Sequence, residues 1–204
     1  MFNGLIKNIG KVVSYTPPYL RIHSSLTPEI GESIAVNGAC LSVVEIHHHE
    51  FVVEVSEETQ KCIATENLCK QVHLEPAMRL GDKIDGHFLQ GHIDSTGIIA
   101  NIVEHTISVD FYIQAPKEIL HLLVPKGSVG IDGISLTINE VRGDIFRLSI
   151  IPITFKESIF HTYRIHRRVN IETDMFTRSI AHILSIQKSQ NLSWEQIDAL
   201  TLSY

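Results

Sequence analysis

The chain has 204 residues, 44% hydrophobic and 20% charged, enough apolar surface for a packed core, and its Gly, Pro and Cys contents exclude collagen-like, disordered and disulfide-scaffold classes. The formal charge is −6, and Lys and Arg form no cluster beyond Arg164–Arg168, so nucleic acid is not an expected partner. Three cysteines, Cys40, Cys62 and Cys69, are odd in number without Cys-x-x-Cys spacing, which points to a reducing, cytoplasmic compartment.

From the N-terminus, Met1 to Tyr15 is broken by Asn3, Gly4, Lys7, Asn8, Gly10 and Lys11 and lacks the apolar centre of a signal peptide. No later stretch approaches the roughly 18 apolar residues of a membrane span, so no membrane partner is expected. Glu32–Val36, Leu41–Ile46 and Phe51–Val55 are short β-branched runs, the first two joined by the tight-turn dipeptide Asn37-Gly38. His47-His48-His49 between the last two reads as a hairpin tip and not a metal site, because consecutive residues of a turn diverge. Val109–Gln114, Ser135–Val141 and Phe146–Ile151 repeat the style, with Asp132-Gly133 as the matching turn. Pro116–Val124 reads as a helix opening on Pro116. After Asp174, Phe176, Ile180, Ile183 and Leu184 make the stripe of an amphipathic helix, which fits either packing on its own domain or an oligomer contact. Ser193-Trp-Glu-Gln196 reads as a capping box before Ile197 and Leu200.

The two sets of strands are copies of one unit. Gly31–Ile46 lies over Lys126–Val141 at an offset of 95, with Ser33/Ser128, Gly38/Gly133, Leu41/Leu136 and Glu45/Glu140 identical. Gly4 and Gly10 match Gly91 and Gly97, and Val72-His-Leu-Glu75 matches Val169-Asn-Ile-Glu172. The expected organisation is all-β, a small barrel over 1–86, a second over 87–174, and a helix with a tail over 175–204.

No Gly-x-Ser-x-Gly, His-Glu-x-x-His, P-loop or dinucleotide fingerprint is present. His87 and His92 flank Phe88-Leu-Gln-Gly91 at the junction, and His92 stands where the first copy has Leu5, so it breaks the internal symmetry. Ser33, Cys40 and Ser42 match Ser128, Ser135 and Thr137. On a strand Cys40 and Ser42 share one face, as do Ser135 and Thr137. These groups either satisfy local backbone or line two similar pockets for a polyhydroxylated ligand.

Met1-Phe2-x-Gly4, Asn37-Gly-x-Cys-Leu41, Gly86-His-Phe-x-x-Gly-His92, Lys126-Gly-x-x-x-Ile-Asp-Gly-Ile-Ser-Leu-Thr137 and Ile151-Pro-x-Thr154, in this order and with the duplication, resemble the alpha-chain type of riboflavin synthase over Met1 to about Leu184. That resemblance implies two six-stranded Greek-key barrels, a C-terminal helix assembling a homotrimer, and no metal or other cofactor. It implies dismutation of two 6,7-dimethyl-8-ribityllumazine molecules to riboflavin and 5-amino-6-ribitylaminouracil, and it allows a complex with lumazine synthase. Lumazine-binding fluorescent proteins share the framework, so a non-catalytic binder is the alternative.

Carried over by position, the resemblance places Gly4, Leu5 and Ile6, Ala39, Cys40, Leu41 and Ser42, and Glu54, Val55, Ser56, Glu57, Glu58 and Thr59 in the first pocket. Lys126, Asp132, Ser135, Leu136 and Thr137, with Ser149, Ile150, Ile151, Pro152, Ile153 and Thr154, fall in the second. Gly91, His92 and Ile93 would reach the first pocket from a neighbouring subunit. Ser33, Cys40 and His92 would assist proton transfer or hold hydroxide at C7; Ser135, also assigned to catalysis, would hold the other substrate with Thr137 and Thr154. Phe2 would order the N-terminus. The pattern departs at Asn3 and Gln90, where the family has Thr and Ser, and at Ser42, where it has Thr.

Overall fold

Alternation of buried and exposed residues along short strands drives the architecture. In the computed structural model, which describes residues 1–6 and 8–190 and side chains as far as 186, two closed antiparallel barrels account for most of the chain. The first holds β1 (Asn8–Thr16), β2 (Tyr19–His23), β3 (Ser33–Val36), β4 (Ala39–His47), β5 (Glu50–Glu54) and β6 (Gln71–Pro76), closed in the order β1-β2-β5-β4-β3-β6. The second holds β7 (Ser95–Glu104), β8 (Val109–Gln114), β9 (Ser128–Ile131), β10 (Ile134–Arg142), β11 (Ile145–Ile150) and β12 (Arg168–Thr173), in the order β7-β8-β11-β10-β9-β12. Position for position the orders are the same Greek-key closure, which leaves neither sheet an open edge.

Inward residues fill each barrel. Leu20, Ile22, Leu41, Phe51 and Val53 pack inside the first, and Phe111, Ile113, Ile138, Phe146 and Leu148 inside the second. Phe51 and Phe146, equivalent at the offset of 95, are both buried, each contributing about 2–3 kcal/mol of apolar burial. His48 and His49 form the hairpin tip between β4 and β5, as expected. The lumens are therefore packed cores, so any ligand site lies outside them.

Among the described residues, four α-helices decorate the barrels: α1 (Glu57–Cys62), α2 (Lys117–Leu120), α3 (Pro152–Glu157) and α4 (Met175–Gln190). The helix expected over Pro116–Val124 is confined to the single turn of α2, with Pro116 as its N-cap. At the start of α4, Asp174 Oδ1 accepts from the backbone N–H groups of Phe176 and Thr177 at 2.9 Å. The apolar stripe Phe176, Ile180, Ile183 and Leu184 is more than half exposed in the single chain. The Ser193 capping box lies outside the described residues.

The barrels meet about a pseudo-two-fold axis at the two tight turns. Gly38 and Gly133 stand back to back, and a Cβ on either would come within 2.8 Å of the other's backbone nitrogen. Each turn is locked reciprocally: His73 N–H donates to Asn37 Oδ1 at 2.9 Å, and Asn170 N–H to Asp132 Oδ1 at 2.8 Å. Across the joint, His73 Nδ1 bonds the Asp132 carbonyl at 2.9 Å, and Asn170 Nδ2 donates to the Asn37 carbonyl at 2.9 Å.

Candidate functional site

The pairing register puts the predicted polar groups on the outer faces. Ser33 opposes Ser42 and Ala35 opposes Cys40, while Ser128 opposes Thr137 and Gly130 opposes Ser135. Paired residues share a face, and the alternating neighbours Leu41 and Val43, Ile134 and Ile138, point into the cores. Ser42 also opposes Glu54 of β5, which runs on into α1, whose N-cap Ser56 accepts from the N–H of Thr59 at 3.1 Å. The second barrel repeats this with Ser149 on β11 and Thr154 on α3, where Pro152 occupies the first turn.

Lys126 stands at the edge of the second patch. Its N–H donates to the Ile138 carbonyl at 2.7 Å, one residue beyond Thr137. Its φ is +69° and the equivalent Gly31 has +89°, so a left-handed position that the first copy gives to glycine here carries a lysine.

The segment preceding each barrel crosses to the other. Phe2 and Leu89 exchange both backbone hydrogen bonds, at 2.7 and 3.0 Å, forming the bridge from which the crossing segments run. Ser135 N–H then donates to the Gly4 carbonyl at 2.9 Å, and Cys40 N–H to the Gly91 carbonyl at 2.9 Å. Both glycines have positive φ, +76° and +78°, and a Cβ on Gly91 would lie 2.5 Å from Cys40 Cβ. Two buried carboxylates hold the crossings. Glu75 accepts from Asn3 N–H at 2.7 Å and Gly4 N–H at 3.0 Å; Glu172 accepts from Gln90 N–H at 2.6 Å and Gly91 N–H at 3.0 Å. Burial pushes the Glu172 carboxyl up to about 7 despite those donors. Asn3 and Gln90 are structural: Asn3 bonds the Gly86 N–H and the Lys83 carbonyl, and Gln90 Oε1 accepts from Arg178 of α4 at 2.8 Å.

This crossing corrects the expected grouping. Gly4 meets Ser135, and Ile6 packs on the second core and lines a cleft of about 570 Å³ with Glu157 of α3, whereas Leu5 borders Glu75 and Pro76 of the first barrel. Gly91 meets Cys40 within the same chain, its carbonyl accepting from the Cys40 N–H, and Ile93 packs on the first core. The side chains of Ala39, Leu41, Val55 and Ile150 are barrel core and can offer a ligand only their backbone, because alternation turns them inward, and Leu136 packs against the second core. Asp132 is no surface ligand-binding group: it is fully buried in the joint, accepting from Tyr163 O–H at 2.5 Å and Asn170 N–H. Burial lifts its carboxyl to about 6.

Exposed or half-exposed on the outer faces remain Ser33, Cys40, Ser42, Glu54, Ser56, Glu57, Glu58, Thr59 and His92 for the first barrel. Lys126, Ser135, Thr137, Ser149, Ile151, Pro152, Ile153 and Thr154 do so for the second. Phe2 is buried with Ala35 and Leu89 and packs against Cys40, tying the N-terminus to the patch. His87 joins the second patch through a 2.6 Å hydrogen bond between Nδ1 and Ser135 Oγ.

Sequence reasoning missed Glu75, Glu172 and His73 as holding groups, although the matched Val72–Glu75 and Val169–Glu172 tetrads carried the signal. His73 Nε2 accepts from Ile159 N–H at 2.9 Å, so Nδ1 carries the proton given to Asp132. Burial lowers its pKa to about 4 and keeps it neutral. Among the described residues no His, Cys, Asp and Glu cluster has metal-binding geometry, and no helix is long and apolar enough to cross a membrane.

Comparison with known proteins fits this doubled arrangement. The family model of the lumazine binding domain matches twice, over residues 3–77 and 90–174. The riboflavin synthase of Bacillus subtilis (strain 168) is 35% identical, covering 100% of this chain and 98% of the relative. Those of Photobacterium phosphoreum and Chlamydia pneumoniae are 33% and 37% identical over 94% and 87% of this chain, and 92% of each relative. The structure of LumP complexed with riboflavin superposes with a TM-score of 0.76 at 23% identity, over 85% of this chain and 99% of that one. The LumP complex with 6,7-dimethyl-8-(1'-D-ribityl) lumazine gives 0.73, also at 23% identity and with the same coverage of both chains.

Proposed function

Because the chain belongs to the riboflavin synthase family, we propose that it converts two molecules of 6,7-dimethyl-8-ribityllumazine into riboflavin and 5-amino-6-ribitylaminouracil. The observation that carries this reading is the pair of equivalent outer-face patches, Cys40 with Ser42 and Ser135 with Thr137, each backed by a glycine carbonyl from the segment that precedes the opposite barrel. A reaction whose donor and acceptor are the same molecule needs two similar sites, and a duplicated barrel supplies them.

The chemistry asks little of acid and base groups. One lumazine gives up a four-carbon unit to the other, and the atoms and electrons of two substrates equal those of the two products, so no external oxidant enters. The 7-methyl protons of the substrate are already acidic, and modest base assistance suffices. Cys40, with Ser33 and the exposed His92 nearby on the first patch, supports that proton transfer; Ser135, Thr137 and Thr154 hydrogen-bond the ligand on the second. Holding two rings in one orientation removes most of the entropic barrier to their meeting.

Both patches are open in one chain, and we place the reaction between the first barrel of one copy and the second barrel of the next, in a homotrimer assembled through the exposed stripe of α4. Mixing the protein with 6,7-dimethyl-8-ribityllumazine and following flavin absorbance tests the activity. Flavin formation supports it, and tight binding without flavin would make the protein a chromophore binder instead. A chain ended after Glu172 is expected to sediment as monomers; a surviving trimer would refute assembly through α4.

A further inference from the structure

The duplication is broken at one hydrogen bond. Residues 2 to 5 of the first crossing segment correspond to 89 to 92 of the second, an offset of 87. Ser135 has a histidine partner, and the equivalent position in the first barrel is not a hydroxyl but the thiol of Cys40. His87 Nδ1 lies 2.6 Å from Ser135 Oγ, and its Nε2 is buried with no hydrogen-bond partner.

The orphaned Nε2 selects the tautomer. A neutral ring either protonates Nε2, leaving a buried N–H without an acceptor, or protonates Nδ1, leaving a buried lone pair without a donor. Unmatched buried N–H groups are the rarer, costlier case. Burial lowers the pKa of His87, which keeps the ring neutral. The proton therefore sits on Nδ1 and is donated to Ser135 Oγ. The Ser135 backbone is already fixed by the Gly4 carbonyl, so the serine O–H is the one donor left free, on the outer face of β10.

We propose that His87 is a positioning residue that fixes the Ser135 hydroxyl as a hydrogen-bond donor to the ligand on the second barrel, and so makes the two duplicated sites chemically unequal. The second site then selects a ligand edge that presents an acceptor, such as a ring carbonyl of a pteridine-dione. The first site, with a thiol in that place, makes no such demand. The inference rests on the proposed reading only in taking that outer face as a ligand site.

Four full-length variants test it: His87→Ala, His87→Asn, Ser135→Ala and the His87→Ala/Ser135→Ala double. Asparagine places its amide nitrogen where histidine has Nδ1, whereas His87→Gln would place it near Nε2. Loss of this hydrogen bond in His87→Ala is expected to lower kcat about tenfold and to weaken 6,7-dimethyl-8-ribityllumazine at one of two binding classes in a fluorescence titration. His87→Asn should recover to within about threefold of the parent, and the double variant should be no worse than Ser135→Ala. Multiplying effects in the double variant, or equal loss in the Asn and Ala variants, would overturn the proposal. Should His87→Ala fail to fold, recovery by Asn but not Gln decides the same point. A parent that binds lumazine without making flavin would refute the proposed reaction, and the titration would still test His87.

Discussion

Asp132→Asn probes the joint between the barrels and the correction of a predicted ligand-binding residue together. Asp132 is fully buried, and burial raises its carboxyl from 3.8 to about 6 against the opposing donors Tyr163 and Asn170. The folded chain thus holds this proton more tightly than the unfolded one, and stability falls as pH rises from about 4 to about 6, then levels. A shift of about 2 units corresponds to about 3 kcal/mol at 1.36 kcal/mol per unit. Asparagine resembles the protonated acid. Its oxygen can keep the Asn170 N–H, its amide can donate to a rotated Tyr163 hydroxyl, and Asn37 performs the same turn-locking role in the first barrel. Urea unfolding of parent and variant across pH 4 to 8 should give a difference near zero at pH 4, rising to about 3 kcal/mol in favour of the variant above pH 6. Taking the difference cancels the titration of Glu172. Lumazine binding should be unchanged, since Asp132 faces the joint. A difference constant with pH would refute the buried-charge reasoning, and a large loss of ligand affinity would return Asp132 to the site.

Gly133→Ala is expected to cost about 3 kcal/mol or more, since its Cβ would press on Gly38 backbone at 2.8 Å and φ is +84°. Gly143→Ala, with φ +60° and open space, should cost only about 1 kcal/mol; equal thermal shifts would show that the contact across the joint carries no weight. Phe2→Ala empties a buried position beside Leu89 and Cys40 and should cost about 3–5 kcal/mol in urea unfolding and weaken ligand binding; unchanged affinity would detach the N-terminus from the patch. Glu172→Gln leaves one of two N–H groups at Gln90 and Gly91 without an acceptor, for about 1–3 kcal/mol, and should loosen ligand at the first barrel. An unchanged midpoint and affinity would remove Glu172 from the holding role.

Much of the outer-face chemistry was legible because strand alternation is a local rule. Once Cys40 and Ser42, or Ser135 and Thr137, are assigned to strands, they share a face whatever the surroundings. The same alternation turns Leu41 and Val55 inward to fill the first barrel, which a motif span, taken whole, does not distinguish from their outward neighbours. Asp132 and Asn37 read as turn residues from the local pattern, but that the turns abut is a contact between Gly38 and Gly133, 95 positions apart, invisible to any local pattern. His87 stood out at the junction, but nothing in spacing could tell that its ring meets Ser135, 48 positions away.

The sequence by itself determined that the chain is a doubled β-unit with matched hydroxyl and thiol positions, because repetition and period-two alternation are written in residue order. Only the tertiary structure decided which segment serves which patch. Gly4 meets Ser135 and Gly91 meets Cys40 because Glu75 and Glu172 capture the backbone of the crossing segments, and the back-to-back glycines bring the barrels close enough for each to reach the other. Those are long-range hydrogen bonds and close approaches, and they exist only after both barrels have closed.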